Sequence, residues 1–387
     1  MSSSAALELH LTDDQRTLYR RTHRLAVDVL KPLADAEPPG RVNRPLIAAL
    51  AEHGLLARLF GRGAEDRVSA IDLCLIREAL ARGCTEAETA FALQGLGAYP
   101  IVGAGGSELR ERWLPSVAAG TAVAAFALTE PDAGSDPAGL SLRAEPDGDG
   151  GYLLHGDKLW ISNAPDADVY TVFARSDPDA RGARGLTAFA IAGDAEGLSG
   201  ERLELLAPHA IGSLRFDGVH AGPAQILGEP GSGFGVAMRT LDLFRPSVGA
   251  FAIGMARAAL DLTVAYTSTR STFGRPLREH QAIAHRLAEL RARTEAARLL
   301  VHQAALAHDR GVPDPGVAAM SKLLATEVAQ QVVDAAVQFH GAVALQRGHP
   351  LEHLYRDVRA PRIYEGASEI QREIIARRMY AEFEERA

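Results

Sequence analysis

Residues 126–139 read FALTEPDAGSDPAG and gather Thr129, Glu130, Ser135 and Asp136 around two small residues, Ala133 and Gly134. Small residues let a main chain come close to a ligand, so hydroxyls and backbone N–H groups in such a loop suit a polar one. Near the other end of the chain Glu365, in Tyr364-Glu365-Gly366, opens a helical segment, a place where the helix dipole favours a carboxylate. Other groupings carry less. Gly231-Ser232-Gly233-Phe234-Gly235 lacks the full dinucleotide spacing and a surrounding βαβ unit, so it reads as a strand-to-helix turn. Asp147, Asp149 and Gly151 would begin a calcium loop whose twelfth position is Lys158 where a glutamate is needed, so a hairpin turn is expected. His340, His349 and His353 are read as capped or surface histidines. Cys74 and Cys84 form no CxxC pair, which excludes a structural zinc site of that type and suits a reducing, cytoplasmic setting. No metal is expected.

These groups must be positioned by a chain of 387 residues, enough for two or three structural units with a large core. Its net charge of −8, from 41 basic and 49 acidic residues, argues against partners held through phosphate neutralisation, so no nucleic acid is expected. No uninterrupted apolar run approaches the roughly 18 residues of a membrane span, and MSSSAALELHLTDDQ has no cationic-then-apolar signal pattern. The cations are almost all arginine; Lys31, Lys158 and Lys322 are the only lysines.

The texture changes twice. Residues 1–120 read as helical: Thr12 with Asp13 and Asp14 forms a helix start, and Leu18, Leu25, Val29 and Leu30 recur at helical spacing. A second segment spans 71–81, and Pro38-Pro39-Gly40 and Gly61-Arg62-Gly63 break the region. Residues 121–235 read as short antiparallel strands, among them 169–174, 186–191 and 214–219, separated by turns such as PDGDGG at 146–151. Residues 236–387 return to long helices over 236–269, 277–310 and 316–345, with a fourth after Gly366. Ile283, Leu287, Leu290, Ala297 and Val301 make an apolar stripe, the pattern of a helical bundle.

Three further segments join the first loop: KLWISN at 158–163, RSTFGRPLREHQ at 270–281 and YRDVRAPRIYEGASEIQ at 355–371. In this order and spacing, over nearly the whole chain, they resemble the acyl-CoA dehydrogenase family of flavoproteins. The resemblance implies a mostly α fold in three parts: an N-terminal helical domain, a β-barrel-like middle domain and a C-terminal four-helix bundle. It implies FAD as cofactor, a homodimer or homotetramer, and an electron-transfer flavoprotein as electron acceptor. The implied reaction is α,β-dehydrogenation of an acyl thioester, with Glu365 as the base and flavin N5 as the hydride acceptor.

Carried over residue by residue, Leu128, Thr129, Trp160 and Ser162 would contact the flavin, with Trp160 covering one face. Arg270, Phe273 and Gln281 would grip the pyrophosphate and adenine from a neighbouring subunit, and Gln338, Gly341 and Ala342 the adenosine end. Ala367 and Glu369 would lie at the flavin-contacting helix start. Ser135, Asp242, Arg245, Tyr364 and Gly366 would serve the substrate side, Arg245 either tuning the base or bridging to Asp242. Relatives that put the base on the helix carrying Leu241-Asp242-Leu243-Phe244-Arg245 are not matched, since Phe244 cannot take a proton.

The chain departs from the family pattern in five places. Ala342 replaces a glycine, Ala367 a hydroxyl residue and Glu369 a common glutamine, and no double glycine stands near Gly61. The stretch from Pro208 to Phe216 is short, which leaves CoA or a carrier protein open as the acyl carrier. Carrier-linked dehydrogenases, flavin oxidases or monooxygenases, and a non-catalytic paralogue are the alternatives.

Overall fold

A computed structural model describes residues 8–60, 68–180 and 182–385; the Gly61-Arg62-Gly63 break and the missing double glycine lie outside the described residues. The chain forms two compact units, one from Met1–Lys31, Ser69–Glu88 and Asp242–Ala387, the other from Pro32–Val68 and Thr89–Leu241.

Helix α1 (Asp13–Leu25) starts as its sequence predicts. The Thr12 side chain accepts from the Gln15 N–H and the Gln15 side chain accepts from the Thr12 N–H, a reciprocal capping box. Its buried face differs from the expected stripe. Tyr19, Thr22, Ala26 and Leu30 are buried, Leu18 and Leu25 half-buried, and Val29 exposed. A π turn at Ala26–Leu30 inserts a residue and rotates the face that a 3.6 period would give. There follow α2 (Lys31–Ala36), α3 (Arg44–Glu52), α4 (Ala70–Gly83), α5 (Thr85–Ala104) and α6 (Ser107–Ala118). In α4 the buried Glu78 accepts from the guanidinium groups of Arg257 and Arg298, an ion cluster inside the first unit.

The strands are β1 (Ala124–Ala127), β2 (Arg143–Pro146), β3 (Tyr152–Ser162), β4 (Val169–Arg175), β5 (Leu186–Ala192), β6 (Leu198–Arg202), β7 (Ile211–Ala221) and β8 (Ile226–Leu227). They pair in the order β6-β7-β3-β2-β4-β5-β8, with β1 on β4. The strands read at 169–174, 186–191 and 214–219 fall within β4, β5 and β7. Two expectations are corrected. β1 runs parallel to β4, so the sheet is mixed. Among the described residues β6 and β8 do not pair with each other, so the sheet stays open and forms no closed barrel. Helix α5 packs on β1 through Gly97: a Cβ there would sit 2.5 Å from the Ala125 nitrogen, so only glycine admits the helix. Ala98 and Ile101 of α5, Leu109 and Val117 of α6, and Val169, Phe173, Leu186 and Ala190 of the sheet form the core of this unit. The turn at 146–151 is a β2–β3 hairpin in which Asp147 Oδ1 accepts from the N–H groups of Asp149 and Gly151, at 2.8 and 2.9 Å.

After β8 the glycine-rich turn leads into α7 (Gly233–Thr269), as read. Then come β9 (Ser271–Thr272), β10 (Arg275–Pro276), α8 (Gln281–Asp309), α9 (Pro315–His340), α10 (Pro350–Asp357) and α11 (Ser368–Glu384). Among the described residues α7 is long and apolar enough to cross a membrane by length and composition, but 72% of its most apolar window is buried inside the protein, the mark of a core helix. In α8, Leu290, Ala297 and Val301 are buried as the stripe predicts, while Ile283 and Leu287 are only half-buried.

Candidate active site

In the first unit, Glu365 sits between a 3₁₀ turn at Ala360–Arg362 and the start of α11. Its φ of 50° is in the left-handed region, uncommon for a residue with a side chain, and Gly366 follows at 87°. The restraint comes from Lys322 on α9, whose side chain is buried. Lys322 Nζ donates to the Tyr364 carbonyl at 2.7 Å and also to the Gly366 carbonyl, so one ammonium clamps both flanks of Glu365. Gln371 Nε2 donates to the same Gly366 oxygen at 2.9 Å. Glu365 Oε2 is buried with no hydrogen-bond partner, a carboxylate oxygen left free to accept a proton.

Charged groups surround this loop. Arg245 on α7 pairs with Asp242 at 2.7 Å, the bundle salt bridge foreseen as one of its two roles, and its Nε is buried without a partner. Arg77 on α4 and Glu88 on α5 form a buried ion pair, and Arg77 Nη1 donates to Ser247 Oγ at 2.6 Å. Burial pushes the Glu88 carboxyl up to about 7 against the pull of Arg77. Burial lowers the Lys322 ammonium to about 8, with the Glu365 charge pulling it back up and Arg245 pushing it further down.

A second cluster lies at one end of the same bundle. Phe273 and Gly274, with φ of 51° and 78°, form the two-residue tip of the β9–β10 hairpin. Phe273 is 97% exposed, and Arg270 and Gln281 flank the hairpin, also exposed. The Tyr266 ring stacks on His340 at 4.1 Å, which ties the end of α7 to the end of α9. There Gln338, Gly341 and Ala342 are exposed. The 18 steps along α9 from Lys322 to His340 set this end about 27 Å from the Glu365 loop at 1.5 Å per residue. Ala367 caps α11 without a side-chain bond, and Glu369 is exposed and paired to Arg372 at 3.2 Å. The histidines have structural partners: His340 Nδ1 bonds Ala336 O at 2.8 Å, His349 Nδ1 accepts from the Leu351 N–H, and His353 Nε2 meets Thr85 Oγ1 at 2.8 Å and Asp357.

In the second unit, Trp160 lies on β3 at a bulge. The register against β7 steps from Lys158–Leu214 to Ile161–Gly212, leaving one extra residue on β3, and Trp160 takes a φ of 60°. The bulge turns the indole outward, 50% exposed, where an ordinary strand tryptophan would be buried. Thr129 O accepts from the Leu159 N–H at 3.0 Å and brings the first loop beside the bulge. Leu128, Thr129 and Ser162 are half-buried there.

The loop's role as a polar cradle needs correction at two residues. Glu130 is buried and fully engaged: Oε1 accepts from Lys158 Nζ at 2.8 Å and from the Leu142 N–H, and Oε2 accepts from the Ser141 N–H and hydroxyl. Asp136 caps its own 3₁₀ turn through the Ala138 N–H. Ser135 remains exposed. Sequence reasoning missed both buried lysines and the Arg77–Glu88 pair. The scarcity of lysine, with one opening KLWISN, was the available signal.

Residues 12–121, 125–219 and 231–380 match the acyl-CoA dehydrogenase N-terminal, middle and C-terminal domains. The chain is 37% identical over 376 residues, 95% of each chain, to "Probable acyl-CoA dehydrogenase fadE25" of Mycobacterium leprae (strain TN). It is similar to the solved butyryl-CoA dehydrogenase of Megasphaera elsdenii, with a TM-score of 0.89 and 32% identity, over 96% of this chain and 99% of that one. It is also similar to PigA solved as an FAD complex, with a TM-score of 0.87 and 29% identity, over 95% and 98%. The residues present fit such a cofactor: an outward-turned indole on a bulged strand, with the Thr129 and Ser162 hydroxyls on the same strand and loop, suits a flat heteroaromatic ring. From the three matched domains and these likenesses, the chain belongs to the acyl-CoA dehydrogenase family and is a flavoprotein oxidoreductase whose cofactor is FAD.

Proposed function

We propose that this enzyme desaturates an acyl-CoA thioester between Cα and Cβ, with Glu365 as the base. FAD, when bound, would supply the hydride acceptor for the β-hydrogen. The chain's own residues do the rest. Glu365 takes the α-proton, and its buried, unpartnered Oε2 is the observation that carries this reading. Its backbone N–H holds the thioester oxygen as enolate charge develops there. Trp160, Leu128, Thr129 and Ser162 would hold the flavin, the exposed indole by stacking and the two hydroxyls by hydrogen bonds. Arg270, Phe273, Gln281, Gln338, Gly341 and Ala342 take the adenine end, a role that their exposure in this chain and the helix-set separation from Glu365 support. Ala367 and Glu369 stand at the helix start, and Ser135, Asp242, Arg245, Tyr364 and Gly366 line the substrate side. The same reading includes a three-part division at 1–120, 121–235 and 236–387, a homo-oligomer, a cytoplasmic setting, and an electron-transfer flavoprotein that reoxidises the cofactor.

The test is Glu365→Gln. The variant should purify yellow, with FAD bound, and the rate of flavin bleaching by acyl-CoA should fall by about 10²–10⁴-fold. Bleaching at the wild-type rate would remove Glu365 from the role. An acyl-carrier-protein substrate that bleaches the flavin faster than any acyl-CoA would change the carrier and leave the base unaffected.

A further inference from the structure

We propose that Lys322 is a positioning residue that strengthens the backbone donor of Glu365: its ammonium, bonded to the Tyr364 carbonyl, polarises the peptide whose N–H holds the thioester oxygen. This rests on the reading of Glu365 given above.

The Tyr364 carbonyl and the Glu365 N–H belong to one delocalised amide. A cation on the oxygen draws electron density from the nitrogen and makes its hydrogen a stronger donor, and a hydrogen bond to a charged group does this more than one to a neutral group. Lys322 Nζ reaches that oxygen at 2.7 Å. Its second bond, to Gly366 O, fixes the far side of Glu365, so the N–H direction is set before any substrate arrives. That pre-setting matters, because Glu365 holds a left-handed φ that a non-glycine residue does not keep unaided.

Tethering alone would not call for a cation. Gln371 already bonds Gly366 O with a neutral amide, and a charged amine buried to 1% exposure is costly to keep. Its hydrogen bonds go to two carbonyls and to no carboxylate, so its charge is not cancelled by a bonded anion. Glu365 and Arg245 are the charges that act on it from α11's approach and from α7.

The experiment uses the FAD-loaded enzyme with Lys322→Arg, Lys322→Gln and Lys322→Met. The probe is a non-oxidisable 3-thia-acyl-CoA with a ¹³C-labelled thioester carbonyl, read by isotope-edited infrared difference spectroscopy. In the wild type the bound carbonyl band should lie below its frequency in water. In the Met and Gln variants it should move back toward the free value while affinity for the probe changes only a few-fold, and Arg should keep the wild-type position. Flavin reduction by acyl-CoA should slow by roughly 10- to 100-fold in Met and Gln, less than the loss of a whole oxyanion donor. Should the Met variant not fold, Gln, which retains a neutral donor, carries the test. A wild-type carbonyl band in Gln overturns the proposal. Glu365→Gln, which keeps the backbone N–H, separates the two ideas: a wild-type bleaching rate there sinks the base assignment, whereas a slow rate there with an unshifted band in the Lys322 variants sinks only the role of Lys322.

Discussion

Each of the two units buries one lysine, and the two are satisfied in different ways. Lys158 donates to a carboxylate, Glu130, and to the Leu128 carbonyl; Glu130 in turn collects three donors from Ser141 and Leu142. Lys322 donates to two carbonyls and to no anion. Burial brings both ammonium groups down to about 8. In the first case charge meets charge inside a strand-and-loop frame, and what results is a fixed shape beneath the Trp160 bulge. In the second the positive charge is left to act on its surroundings, and those surroundings are the peptide and carboxylate of Glu365. A buried cation is therefore read by what it donates to: an anion beside it marks a scaffold, bare carbonyls beside it mark a field.

The largest effect that would break this contrast is in stability. Lys158→Met strands the Glu130 carboxylate and should cost about 3–5 kcal/mol in urea unfolding. Lys322→Met strands only carbonyls and should cost less, about 1–3 kcal/mol, while slowing turnover more. Equal destabilisation by the two would erase the distinction. A sharper version adds Glu130→Leu to Lys158→Met: removing both members of the pair should return most of the lost stability, as replacement of buried pairs by apolar groups often does. Smaller still is Trp160→Ala. With the indole half exposed, stability should move by under about 1 kcal/mol, and the measurable change should be FAD affinity, weaker by roughly tenfold for a lost stacking contact.

The finest test is by pH. Lys322 titrates at about 8 when folded and at 10.5 by its ordinary value. Between those values the unfolded chain carries the extra proton, so this group makes the protein more stable as pH rises through the window, while the charge that serves Glu365 is lost. Turnover should fall above about pH 8 as the Lys322 contribution to stability grows, and both trends should be absent from Lys322→Met, so that they appear in the difference between wild type and this variant. Trends that run together would show that Lys322 acts through stability alone.

Much of the frame was readable. Thr12, the turn at 146–151, the glycines before α7 and the runs at 169–174 and 186–191 all announce their structure locally, because caps, turns and alternation depend on near neighbours. Helix α5 did not stand out, since Gly97 and its neighbours are buried against the sheet and no polar face marks a period. The face of α1 was misjudged because a π turn has no side-chain signature. The parallel pairing of β1 with β4 joins residues some 45 positions apart, as Ala124 meets Val169, and no local pattern records that. At the site, Glu365 was visible through its motif, while Lys322, 43 positions earlier, becomes meaningful only when α9 is laid beside it.

The same burial has a chemical corollary outside folding and turnover. Thioesters are acyl donors that modify free amines on contact. Lys158 and Lys322 are sealed at 0% and 1% exposure, so Lys31, half-exposed and 3.5 Å from Glu86, is the one lysine that offers an amine to solvent. Among the described residues, an enzyme that handles activated acyl groups thus presents a single lysine side chain at its surface. For the experimenter, an amine-directed label will mark a single known side chain on the first unit.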